Sequence, residues 1–134
     1  RAGDFWGSAL AADRTIVWVV DDVESVRKSI AAVLETANMR VHDYSSAKDF
    51  LAEYKPGTRG CLIVDHQMPG MTGLELLTRL NAERRAPPTI VISAHGDKVL
   101  RTRIMAAGAV AMLDKPVDAG ELIVVVERAL VNAS

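Results

Sequence analysis

Apolar residues fall in short blocks along this chain, and polar residues separate them with a regular rhythm. Residues 15–20, TIVWVV, form a β-branched run that stops at Asp21 and Asp22. A continuous apolar run of this length predicts a strand buried on both faces. Over 24–37 the apolar positions are Val26, Ile30, Val33, Leu34 and Ala37, offsets that line one side of a helix. A short strand follows over about 40–43. Ser45 or Ser46 can cap a helix in SAKDFLAEY, with Phe50, Leu51 and Tyr54 as its apolar side. Pro56-Gly57 stops that helix, and CLIV, residues 61–64, reads as a third strand.

The second half repeats the rhythm. Thr72 or Gly73 opens a helix with Leu74, Leu77 and Leu80 inward, and Pro87-Pro88 ends the connection. TIVI, residues 89–92, is a strand. A helix is predicted over about 97–107, with Gly108 as its stop. AVAML, residues 109–113, reads as a fifth strand, broken by Lys115-Pro116. A last helix runs from 119 to about 132. Its core face is Leu122, Val126 and Ala129, and Val124 and Val131 fall opposite.

Strands alternating with helices mean βαβ units and a parallel sheet. Right-handed crossovers leave few topologies. The expectation is a flavodoxin-like (βα)5 doubly wound sheet with strand order 2-1-3-4-5. Ligands of such sheets bind beyond the carboxyl ends of the strands, at the switch point between strands 1 and 3. Asp21 and Asp22 end strand 1 and Asp65 ends strand 3, so the topology brings three carboxylates to one crevice.

Length and composition narrow the picture further. A chain of 134 residues holds one ordinary domain. A net charge of −1 gives no bulk attraction to nucleic acid or an anionic membrane. The apolar runs are too short to span a bilayer. The single cysteine, Cys61, excludes an internal disulfide and points to a reducing, cytoplasmic setting. Lying in an apolar run, it is expected to be a core residue and not a nucleophile. The chain starts at Arg1, as a fragment would. Residues 1–13, RAGDFWGSALAAD, lack the basic start and continuous apolar core of a signal peptide. They read as an N-terminal extension or tag remnant, with docking through Phe5 and Trp6 as the alternative. Residues 14–134 are the domain.

Three carboxylates at close quarters repel one another and call for a counter-ion. Hard oxygen ligands at the mouth of a cleft suit Mg²⁺, which keeps waters and takes one or two carboxylates plus a phosphate oxygen. Strand 4 ends in Ser93, a hydroxyl donor, and strand 5 is followed by Lys115, a cation. An aspartate beside a metal, a hydroxyl and a lysine is suited to accept a phosphoryl group as nucleophile.

With its acidic pair Asp21-Asp22, the aspartate in VDHQMPGMTGLEL, Ser93-Ala94 and DKP at 114–116, the chain resembles the receiver domain of two-component response regulators. The stretches HQMPGMTGLELL and SAHGD resemble the FixJ-type transcriptional regulators most. The resemblance covers about residues 15–133. It implies that Asp65 is the phosphoacceptor and Asp22 a direct Mg²⁺ ligand, with Asp21 acting directly or through water. The backbone carbonyl of Gln67 completes the protein's share of the metal shell, Ser93 follows the phosphate, Lys115 pairs with the phosphate, and the Lys115-Pro116 bond is cis. The implied donor is a histidine kinase, a phosphotransfer protein or a small phosphodonor such as acetyl phosphate. The chain departs from the family at Met112, where Tyr or Phe is usual. Signal output is expected through the face of the fourth helix, fifth strand and last helix, where Met112, Val124 and Val131 are placed and a homodimer can form.

Two other readings stand beside this one. A pseudo-receiver would be a constitutive interaction module, with Met112 in its favour. A Mg²⁺-dependent phosphohydrolase would need a second acid where Gln67 stands. His66 and His95 read as exposed loop residues near the crevice, and Glu83, Arg84 and Arg85 as a solvated helix end.

Overall fold

The computed structural model describes residues 15–94 and 96–132. Strands β1 (Ile16–Val20), β2 (Arg40–Tyr44), β3 (Gly60–Asp65), β4 (Thr89–Ser93) and β5 (Ala111–Asp114) alternate with five helices. These are α1 (Glu24–Thr36), α2 (Ala47–Glu53), α3 (Gly73–Ala82), α4 (Lys98–Ala106) and α5 (Ala119–Asn132). All strand pairs are parallel, in the order β2-β1-β3-β4-β5. The flavodoxin-like expectation is met. β3 and β4 are buried along their whole length, as continuous apolar runs require in a sheet covered on both faces.

Alternation along each strand divides the core into two layers. Trp18, Val20, Leu62, Val64, Val91 and Met112 face α2, α3 and α4, packing on Phe50, Leu76, Leu77, Leu80 and Ile104. Val17, Val19, Cys61, Ile63, Ile90, Ile92 and Leu113 face α1 and α5, packing on Ile30, Leu34, Leu122, Val126 and Ala129. Cys61 is fully buried, and burial pushes its thiol up to about 12, as suits a core residue.

Local chemistry sets the helix starts. Ser46, Asp97 and Asp118 each accept a backbone N–H three residues on, from Asp49, Leu100 and Glu121. Thr72 and Glu75 form a reciprocal capping box at α3. α1 has no side-chain cap of its own; its Val23 N–H goes instead to Asp21, in the crevice.

Several expectations need correction. β5 begins at Ala111 and not at Ala109. Gly108, at φ 101°, turns the chain out of α4, and the N–H of Ala109 still bonds back to Ile104. In α3 the inward set is Leu76, Leu77 and Leu80; Leu74 is only partly covered. Arg85 is not part of a solvated helix end. Its guanidinium lies 5.7 Å from the centre of the Tyr54 ring, and the Tyr54 hydroxyl donates to its carbonyl at 2.7 Å. Residues 1–14, with Phe5 and Trp6, and His95 lie outside the described residues.

Candidate functional site

β1 and β3 end side by side, with Val20 opposite Val64, so Asp21 and Asp65 emerge together at the carboxyl edge of the sheet. Both are buried, whereas Asp22 is exposed. One carboxylate oxygen from each of the three lies within 4.8 Å of the others. Lys115, in the loop after β5, reaches across: its Nζ donates to Asp65 Oδ2 at 3.0 Å and to Asp21 Oδ2 at 3.2 Å. The second oxygen of each buried acid takes a backbone N–H. Val23 donates to Asp21 Oδ1 at 2.9 Å and Gln67 to Asp65 Oδ1 at 3.1 Å.

Burial pushes the Asp65 carboxyl above its usual range. The Lys115 and Gln67 hydrogen bonds oppose this, and the neighbouring Asp21 charge adds to it. Burial alone would lower Lys115, but its hydrogen bond to Asp65 and the charges of Asp65 and Asp21 outweigh this and hold it above its usual value. One ammonium group faces two buried carboxylates, and Asp22 adds a third acid. The crevice therefore keeps an excess of negative charge that favours a further cation.

Ser93 ends β4, the neighbour of β3, and is fully buried at the same edge of the sheet. Its carbonyl accepts the N–H of Lys115 at 3.0 Å, which ties the lysine loop to β4. The Lys115-Pro116 bond is cis. Gln67 lies in the loop after β3, and its side chain has a task that the sequence did not suggest. Its Oε1 accepts the N–H of Ala94 at 3.1 Å, joining the loops that follow β3 and β4.

Three further placements bear on the site, and one of them, His66, differs from the exposed position expected of it. Met112, in β5, is buried under α4, and a Cβ on Gly96 would lie 2.5 Å from its Cε. His66 is partly covered, with Nδ1 buried and without a hydrogen bond. Arg27 is buried on α1, where an amphipathic pattern marks a core position and the residue type marks a surface one. It donates to the Asp21 carbonyl at 2.8 Å and to Asp43 at 2.8 Å. Nothing in the α1 sequence signals that pairing, because Asp43 is 16 residues away.

The donor set fits a small divalent cation. It offers carboxylate oxygens from two strand ends, and the exposed Asp22 leaves one side open for water. The lysine-bridged acidic crevice lies at the switch point of a doubly wound parallel sheet, where such sheets bind their ligands. The profile of the response regulator receiver domain matches residues 17–127. The transcriptional regulatory protein FixJ of Azorhizobium caulinodans is 41% identical over 114 residues, covering 85% of this chain and 54% of that protein. FixJ of Rhizobium meliloti is 42% identical over 114 residues, covering 84% and 55%. The chain thus spans about half the length of these curated relatives. Among solved structures, FixJ-N superposes with a TM-score of 0.76 at 37% identity, over 86% of this chain and 92% of that one. The response regulator StyR superposes with 0.84 at 38% identity, over 90% and 61%. The chain belongs to the response regulator receiver domain family, and it is a receiver of the FixJ type. Among the described residues, no helix is long and apolar enough to cross a membrane.

Proposed function

We propose that this receiver is a phosphoacceptor: Asp65 takes a phosphoryl group in a reaction that depends on Mg²⁺. The observation that carries this reading is Lys115 Nζ, held between Asp65 and Asp21 at 3.0 and 3.2 Å. A cation so placed meets the oxygens of an incoming phosphoryl group beside the attacking carboxylate. An Asp65 oxygen forms the new bond to phosphorus. The bond to the donor breaks, releasing histidine from a kinase or phosphotransfer protein, or acetate from acetyl phosphate. Asp21, Asp22 and Asp65, with the Gln67 carbonyl, would hold Mg²⁺, which would supply neutralisation of charge on the transferring group. Ser93 then bonds a phosphoryl oxygen and carries the loop after β4 with it.

The carboxamide of Gln67 cannot act as an acid or base, and this argues against turnover of a free phosphate ester. The proposed role is a signal switch and not an enzyme. Residues 14–134 act as the receiver, apart from the extension 1–13, in the cytoplasm and without direct contact to nucleic acid or membrane. Output runs through α4, β5 and α5, where Val124 and Val131 are exposed and a second receiver can pair. The FixJ relatives are transcriptional regulators, and transcription control is the proposed use of the signal. Intact mass after incubation with acetyl phosphate tests the reading. Gain of one phosphoryl group with Mg²⁺, lost when the metal is chelated, supports it. No gain at saturating donor and metal overturns it.

A further inference from the structure

We propose that Arg27, held by Asp43, is a positioning residue for the divalent-cation site. Its role is to fix the Asp21–Asp22 peptide and hence the direction from which Asp22 enters the crevice. This rests on the reading of the crevice as a Mg²⁺ site.

Arg27 is a buried cation on a helix face otherwise made of Ile30, Ala31 and Leu34. Its guanidinium uses two nitrogens in different directions. Nε donates to Asp43 Oδ2 and NH1 to the Asp21 carbonyl, each at 2.8 Å. Both acceptors lie at the carboxyl ends of adjacent strands, with Asp43 paired to Val19 in the register. The Asp21 N–H is held as well, by the Tyr44 carbonyl at 3.1 Å. Asp21 is thereby fixed at its N–H and carbonyl and, through Val23 and Lys115, at both carboxylate oxygens. Asp22 is exposed, and the peptide that precedes it is what sets its approach to the crevice. A planar guanidinium anchored at one edge by Asp43 presents its second donor in a set direction; a lysine ammonium has no such fork. Asp43 also pairs with exposed Lys28 at 3.0 Å, a contact that does not reach the crevice. Groups that orient ligands of a metal commonly change affinity 10–100-fold when removed.

The test is calorimetric Mg²⁺ titration of wild type, Arg27→Met, Arg27→Lys, Asp43→Asn and Lys28→Ala, at a temperature where melts show every variant folded. Both Arg27 variants are expected to raise the dissociation constant about tenfold, Asp43→Asn to raise it by a smaller factor, and Lys28→Ala to leave it unchanged. In ¹⁵N spectra without metal, the Asp22 amide should move in the Arg27 variants and stay in Lys28→Ala. If Arg27→Met does not fold, Arg27→Lys and Asp43→Asn decide. Folded Arg27 variants with wild-type affinity and an unmoved Asp22 amide reduce Arg27 to packing and overturn the proposal. A wild type that fails to bind Mg²⁺ at all overturns the metal reading itself, and the proposal with it.

Discussion

Asp43 has its carboxyl held below the usual value: burial acts to raise it, but the hydrogen bonds and charges of Lys28 and Arg27 outweigh burial. A carboxylate with a depressed folded pKa adds stability that is present above its unfolded value of 3.8 and lost as pH falls through the lower folded one. Asp43→Asn should therefore cost about 1 kcal/mol near pH 6, since the pair is partly exposed, and progressively less below about pH 4. Urea unfolding of both proteins from pH 6 to 3 measures this; a difference that stays constant would show that the charge is not the source. At this scale the sequence was legible where residues end strands. Asp21, Asp22, Asp65, Ser93 and Lys115 could be placed because each follows an apolar run at the ligand-binding edge. Arg27 and the Gln67 side chain were not legible, since their partners Asp43, the Asp21 carbonyl and the Ala94 N–H belong to other segments that only the fold brings near.

The elements were read from periodicity, which depends on burial and so fades at their ends. β5 was placed two residues early because Ala109 is buried like a strand residue while its N–H still serves the end of α4. Leu76 is hidden in the pattern because Leu74, Leu77 and Leu80 already make an adequate stripe. Gly60, the first residue of β3, precedes the CLIV run that marks the strand in the sequence. A Cβ there would overlap the Ile16 carbonyl oxygen across the ladder and lie 2.7 Å from the Trp18 ring. Backbone cannot yield as a flexible side chain does. Gly60→Ala should lower stability by about 1–3 kcal/mol, as overpacking does, by disturbing the β1–β3 pairing that aligns Asp21 with Asp65. Chemical denaturation checks the magnitude. Wild-type stability in Gly60→Ala would mean that β1 moves aside at no cost.

For the whole molecule, topology was the most legible feature, because strand–helix alternation and right-handed crossovers admit few arrangements. The proposed output surface was less so. Val124 and Val131 are 45% and 74% exposed on α5, whereas Met112 in β5 is buried. If phosphorylation favours a paired state through that face, Val124→Asp should weaken the dimer and leave phosphorylation intact. Sedimentation with and without a stable phosphoryl mimic distinguishes the outcomes; a wild type that stays monomeric with the mimic excludes self-pairing. All of this depends on where the phosphoryl group goes. The direct measurement is borohydride reduction of the phosphorylated protein followed by peptide mapping, which marks an acyl phosphate at the residue that carried it. A single mark at Asp65, absent in Asp65→Asn, is the expected result. A mark on another carboxylate, or phosphate retained on a serine or histidine, would contradict it.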